Sequence, residues 1–140
     1  MERGKEKLES KEIKKGTLLM SFKLTLGKTA FAGKNLYTNE AICGLIPKDI
    51  SDKTISEYLY YVLPLIDYMP YAQRASKGYT LNKDLVPTVE IPFPNKFERE
   101  KIIEKLKKLT DELKSKKEEY KKEIQKKETE IDTFMENIIS

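Results

Sequence analysis

Residues 95–140 read NKFEREKIIEKLKKLTDELKSKKEEYKKEIQKKETEIDTFMENIIS, a run without proline or glycine. Within it Leu106, Leu109, Leu113, Lys117, Tyr120, Ile124, Lys127, Ile131, Phe134 and Ile138 follow one another at steps of three and four. That spacing keeps the side chains on one face of a helix and matches a coiled-coil seam. Two consecutive steps of four, Leu109 to Leu113 to Lys117, make a stutter that locally unwinds a left-handed supercoil. Asn95-x-x-Glu98 has the capping-box pattern and follows Ile91-Pro92-Phe93-Pro94, which stops a helix, so the start is well marked. The expected helix is about 65 Å long.

Each Leu, Ile or Phe of the stripe is worth roughly 1.5–3 kcal/mol when buried, so a lone helix with that face in water would forfeit more than a domain's usual net stability. The pattern therefore asks for a second helix. Lys117 and Lys127 at seam positions point to a partner selected for register or orientation. The competing reading is a solvated Lys/Glu helix folded back on the chain's own globular part, against which the length of the stripe argues.

The chain has 140 residues, which leaves one small globular unit ahead of the helix. A single cysteine, Cys43, cannot form an intrachain disulfide and suits a reducing cytoplasm, the expected location. The longest apolar run, around Tyr58 to Ile66, is far short of a membrane span. Lys and Arg number 27 against 23 Asp and Glu, and the excess is local. Six lysines (Lys11, Lys14, Lys15, Lys23, Lys28, Lys34) face one acid, Glu12, between Lys11 and Lys34. Such a stretch is either a phosphate-facing surface or an ordinary solvated scatter.

Met1 to Lys15 is charged and weakly patterned, either frayed or a helical stub. Leu18 to Phe22 has β character and is broken at Leu26-Gly27-Lys28. Thr29–Phe31 and Leu36–Thr38 flank Ala32-Gly33-Lys34-Asn35, an expected hairpin turn with a positive φ at Gly33 or Asn35. Ala41 to Ile46 reads as a buried strand closed by Pro47. Thr54-x-x-Glu57 suggests a capping box for a helix with Ile55, Tyr58, Leu59, Val62 and Leu63 on its apolar face, ended or kinked at Pro64. Leu85 to Ile91 is expected to form an edge strand around Pro87. The fold class is thus α+β: a small globular domain of short strands with one or two helices over residues 1–94, then one long C-terminal coiled-coil helix over residues 95–140.

The chain has no histidine and no tryptophan. Histidine-based triads, Cys-His nucleophiles and the usual zinc sites are excluded. The glycines never form G-x-G-x-x-G or a Walker pattern. Neither catalysis, a metal nor a cofactor is expected.

Three stretches in order carry a family likeness. Gly16-Thr17-Leu18-Leu19-Met20-Ser21-Phe22-Lys23-Leu24-Thr25-Leu26-Gly27-Lys28 resembles G-x-L-L followed by S-x-x-x-T-x-G-K. Leu36-Tyr37-Thr38-Asn39-Glu40-Ala41-Ile42, followed by Ile46-Pro47-Lys48, resembles an N-[QE]-A-I strand start. Lys77-Gly78-Tyr79-Thr80-Leu81-Asn82-Lys83-x-Leu85, Ile91-Pro92-Phe93-Pro94 and Glu98-Arg99-Glu100-Lys101-Ile102-Ile103 are similar to the passage from a globular domain into a long helix. Together they resemble the DNA-specificity subunit of type I restriction-modification systems, a target-recognition domain followed by its conserved coiled coil. The likeness runs from about Lys15 to the C-terminus.

The resemblance implies a non-catalytic role: reading one half of a split site on double-stranded DNA, with the helix spacing the halves and docking adenine methyltransferase subunits. The restriction subunit of the same system is a further implied partner. Family members carry two recognition domains and two helices that pack antiparallel, whereas this chain has one of each. Two copies are therefore expected to form a homodimer through their helices and read an interrupted palindrome. Family domains also have further residues ahead of the Gly16 region, with a Trp-containing strand, so the chain is expected to lack the front of its domain. That supports a second reading, a truncated pairing module that joins methyltransferase or an intact specificity subunit without reading DNA. A third is an unrelated helical scaffold that binds RNA.

On the DNA reading, lysines hold phosphates while amide and hydroxyl side chains read base edges. The candidates are Lys23, Thr25 and Lys28 in the glycine-broken loop, and Lys34, Tyr37 and Asn39 around the expected hairpin. Arg74, Ser76, Lys77, Tyr79 and Thr80 follow in the later loop. Asn39 could equally bond its own backbone. Tyr58, Tyr60, Tyr61 and Tyr68 have core spacing and are read as packing. The coiled-coil interface is Leu106, Leu109, Leu113, Tyr120, Ile124, Ile131, Phe134 and Ile138.

Overall fold

A computed structural model of the chain describes residues 12–82 and 84–140. Most of the charged N-terminal stretch, with Lys11, and also Lys83 lie outside the described residues. The fold is α+β. Four strands form an antiparallel sheet in the order β2-β1-β4-β3: β1 is Leu18–Phe31, β2 Ile42–Leu45, β3 Ala72–Ala75 and β4 Gly78–Leu81. Helix α1 spans Lys53–Val62 and helix α2 spans Lys96–Ile139. Contacts divide the chain between Ile103 and Glu104, so the first turns of α2 belong to the globular unit and the rest of the helix is a unit of its own.

The shape of β1 follows from its hydrogen bonds. A straight strand of 14 residues would hold its ends more than about 40 Å apart. Instead Gly16 N donates to Ala32 O at 2.7 Å and Ala32 N to Thr17 O at 2.9 Å. Lys28 N donates to Ser21 Oγ at 3.0 Å. The strand must double back between Ser21 and Lys28, and there Leu24 takes φ 68° and Gly27 φ 79°. A leucine with positive φ is strained, so surrounding structure must hold it there. The hairpin expected at Ala32–Asn35 is therefore displaced to Leu24–Gly27. Neither Gly33 nor Asn35 has a positive φ. Asn35 Oδ1 accepts from Lys15 N at 2.9 Å, and Leu36 pairs with Ile13 in an isolated bridge.

Alternation along β1 turns Leu18 and Met20 to the same side. There they meet Leu81 of β4 and Leu63 and Tyr68 from the turns after α1, all buried. The Tyr68 hydroxyl donates to Leu63 O at 2.6 Å, and burial pushes its phenol up to about 12. It stays a neutral donor at ordinary pH. Of the other tyrosines read as packing, Tyr58 is buried and Tyr60 stacks on Phe31 with ring centroids 5.1 Å apart. Tyr60 also meets Tyr61 edge to face.

Three further expectations are corrected. β2 is there, paired with β1 from Leu18↔Leu45 to Ser21↔Ile42, but it is the outer strand of the sheet and half exposed. The cap of α1 is Asp52, whose Oδ1 accepts from Thr54 N at 3.0 Å, so the helix starts one residue ahead of Thr54. A carboxylate at this position accepts from the free first-turn amide as a threonine would, and adds a charge favourable to the dipole. Residues 85–91 form no strand. Asn82 O accepts from the amides of Leu85 and Val86, and Val86–Thr88 closes a 3-10 turn around Pro87, which has no amide to give a sheet. Pro64 ends α1 as expected, with a 3-10 turn at Leu63–Leu65.

The start of α2 is tied down twice. Asn95 Oδ1 accepts from Glu98 N at 2.9 Å, capping the helix. One turn on, Arg99 is only 6% exposed. Its Nη2 donates to Asp52 Oδ2 at 2.8 Å, Nη1 to Pro94 O at 2.7 Å and Nε to Thr54 Oγ1 at 3.2 Å. Its guanidinium lies 4.5 Å from the centroid of the Phe93 ring, and the Tyr58 hydroxyl donates to Pro92 O beside it. The Thr54 hydroxyl, and then the charges of Lys96 and Arg99, hold the Asp52 carboxyl below the usual carboxylate range against its desolvation.

Two stability measurements check this account. A Cβ on Gly27 would lie 2.3 Å from Tyr68 Cε2 and 2.9 Å from Leu63 O. Gly27→Ala should thus lower the urea-derived stability by about 2 kcal/mol, whereas Gly33→Ala, with open space around it, should stay within about 0.5 kcal/mol. For Asp52 the folded pKa is depressed, so its contribution is present above the unfolded value and lost as pH falls through the folded one. Below about pH 4 the wild type should therefore lose stability more steeply than Asp52→Asn, which keeps a capping oxygen without the charge.

Candidate nucleic-acid interface

Strand register decides which candidates come together. Lys23 pairs with Thr80, and Thr80 with Gln73, so one row crosses β1, β4 and β3. The next row is Leu24, Tyr79 and Arg74. Because Leu81 is buried in the core, alternation places Thr80 and its row on the opposite face of the sheet. That face is polar: Lys23 and Thr80 are half exposed and Gln73 exposed.

The tips of two hairpins adjoin these rows. Ala75 pairs with Gly78, leaving Ser76 and Lys77 as a two-residue loop. Gly78 has φ 145°, and a Cβ on it would be 3.5 Å from Leu24 Cα, so the β3–β4 tip lies against the β1 tip that carries Thr25. A glycine is favoured here by the backbone angle, since a Cβ at that distance would make only an ordinary contact. The structure thus brings Lys23 and Thr80 together on the polar face, with Thr25, Ser76 and Lys77 at the adjoining tips, while alternation turns Arg74 and Tyr79 to the other face of the sheet. Lys28 sits on the returning arm of β1, its amide bonded to the Ser21 hydroxyl.

Lys34, Tyr37 and Asn39 fall in the connection between β1 and β2 and are all exposed. Asn39 Oδ1 accepts from Ala41 N at 2.9 Å, the local backbone role. Next to it, Glu40 Oε2 is 3.7 Å from Lys23 Nζ. This exposed pair would partly neutralise Lys23 and exchange readily for another anion.

Two residues escaped the reading of the sequence. Gln73 joins the polar row only through the β3–β4 register, which long-range pairing sets. Arg99, flanked by Glu98 and Glu100, has no mark that separates a buried anchor from a solvated helix charge. The one available signal was an aspartate, Asp52, ahead of a helical pattern whose counter-charge was unassigned.

Other features offer little chemistry. Among the described residues no group of three or more His, Cys, Asp or Glu could hold a metal ion. Burial pushes the Cys43 thiol up, and its Sγ faces Met20 O at 3.6 Å. A cavity of about 280 Å³ lined by residues such as Leu45, Pro47, Leu59 and Val89 is apolar, and the Tyr68 hydroxyl on its wall is already committed to Leu63 O. Among the described residues no helix is long and apolar enough to cross a membrane.

The described residues thus form a small α+β unit with a polar hairpin face, followed by a long helix with an apolar stripe. The chain belongs to the type I restriction modification DNA specificity domain family, whose model matches residues 1–126. It is 32% identical over 126 residues to the type I restriction enzyme MjaIX specificity subunit of Methanocaldococcus jannaschii. That match covers 82% of this chain and 28% of the relative, so the chain spans little more than a quarter of the relative's length. No solved structure matches the chain.

Proposed function

We propose that the chain is a DNA-reading half of a type I restriction-modification specificity subunit, with residues 1–94 for recognition and residues 95–140 for spacing and pairing. What carries the reading is the exposed stripe of α2 in a chain of this family: Leu109, Leu113, Tyr120, Ile124, Ile131, Phe134 and Ile138 are each at least half exposed. An apolar face of that length is stable in water only against another helix. Pairing with a second copy brings two recognition domains to one DNA, and the pair then reads a bipartite site. Methyltransferase subunits dock on the paired helices and the restriction subunit joins them.

On the recognition side Lys23, Lys28 and Lys77 hold phosphates and Thr25, Ser76 and Thr80 face the bases, while Arg74 and Tyr79 meet the DNA from the other face of the β3–β4 hairpin. Lys34, Tyr37 and Asn39 extend the contact along the backbone. The absence of an intrinsic reaction follows from the role: the chain selects the site and its partner subunits supply the chemistry.

Two experiments test the two halves of the reading. Lys23→Ala with Lys28→Ala should weaken binding to every duplex sequence and reduce the slope of log K against log salt by up to about 1.8, as two phosphate contacts would. Unchanged binding would remove this surface from the interface. Leu113→Lys with Ile124→Lys should convert a dimer to a monomer in light scattering across a dilution series. A protein that pairs tightly but shows no preference among duplex sequences would instead be the pairing module that assembles with methyltransferase or an intact specificity subunit without reading DNA.

A further inference from the structure

The side of the sheet that packs the core does not stop where the core stops. Along β1 that side carries Leu18 and Met20, both buried, and Phe22, partly buried. Two residues on comes Leu24, which is 57% exposed. On β4 the same side carries Leu81, buried, and then Tyr79, 40% exposed. Leu24 and Tyr79 are cross-strand partners, and Arg74 is the partner of Tyr79 on β3. An apolar ledge thus runs past the core to the hairpin tips.

The backbone holds Leu24 there under strain. Among the described residues it is the one non-glycine with a positive φ, at 68°. A glycine or asparagine would make the same turn with less strain. Leu26, the other leucine of the turn, packs against the core, whereas Leu24 gains little burial for its backbone angle. Its neighbour is the β3–β4 tip, where a Cβ on Gly78 would lie 3.6 Å from Leu24 Cδ2. Strain kept at an exposed apolar residue points to a contact outside the chain.

The rim of the ledge is cationic. Lys23 precedes Leu24, Lys77 lies in the adjoining two-residue loop, and Arg74 ends the row. Among the described residues the acid paired with this rim is Glu40, 3.7 Å from Lys23 and itself exposed. An apolar tip ringed by positive charge fits a duplex, whose base pairs have apolar faces and whose edges carry phosphates.

We propose that Leu24 is a wedge that enters a base-pair step of duplex DNA and partly unstacks it. Tyr79 lies beside it, and Lys23, Arg74 and Lys77 take the flanking phosphates. This rests on the DNA-reading role proposed above and adds a mode of readout. A wedge distinguishes steps by how readily they unstack, so flexible pyrimidine–purine steps are favoured without a hydrogen bond to any base.

The test uses the full chain and a short fluorescein-labelled duplex, either fully paired or with two adjacent central mismatches that make unstacking easier. Followed by anisotropy, the wild type should bind the mismatched duplex about tenfold more tightly. Leu24→Ala should bring that ratio to about one, and Leu24→Met, whose side chain also fills a step, should keep it. Leu24→Gly removes the side chain and the strain together, so it should lose the preference with a urea midpoint near that of the wild type. A lost wedge is thereby separated from a lost fold. A wild type that binds both duplexes equally, or a preference that survives in Leu24→Ala and Leu24→Gly, would overturn the proposal and leave Leu24 to a protein partner. Binding to neither duplex would instead remove the DNA reading on which the wedge rests.

Discussion

The guanidinium of Arg99 joins three parts of the globular unit: the cap of α1 through Asp52 and Thr54, the proline-bracketed segment before α2 through Pro94, and α2 itself. A buried charge is tolerable only when its donors are used, and here each guanidinium nitrogen has an acceptor while Phe93 covers the face. The arrangement makes the beginning of α2 a part of the core, with Ile103 buried one turn further on. Ionic groups of this sort often add less stability than a well-packed apolar cluster would, but they admit few alternative geometries. Capping and anchoring are thereby coupled, since the carboxylate that starts one helix also holds the other.

Local signals made the two ends of the fold legible. Asn95 ahead of Glu98, after two prolines, marked the start of α2 within a residue, and Pro64 marked the end of α1. The α+β class followed from runs such as Leu18–Phe22 next to helical spacing at Ile55–Leu63. What escaped was set at long range. Nothing about Leu24 announces a positive φ, so the turn of β1 was placed at Ala32–Asn35, where Gly33 and Asn35 are favourable turn residues that are not used that way. Residues 85–91 have β-branched residues at strand spacing, yet Asn82 collects two amides and the chain coils instead. β2 looked buried because Ile42, Cys43, Leu45 and Ile46 are apolar, a pattern that an outer strand with one wet face can share.

The candidate surface was legible in parts. Motif order led to Lys23, Thr25 and the Arg74–Thr80 segment separately, and only the sheet register set them side by side. Lys34, Tyr37 and Asn39 belong to another connection, and Asn39 spends its side-chain oxygen on Ala41 N. The composition of α2 carried its amphipathic character, because periodicity depends on nothing outside the helix.

The two hairpin tips bear on how such a surface can change over time. Ser76 and Lys77 lie beyond the last strand pair, and Thr25 within the reversal of β1, so none of them reaches the Leu18–Met20–Leu81 core. Substitutions at exposed positions of this kind usually change stability by about 0.5 kcal/mol or less. Residues here can be exchanged while the glycine hinges, the sheet and the Arg99 anchor stay as they are. The scaffold is insulated from these tip positions, and new side chains can be sampled there without the chain first having to find another way to fold.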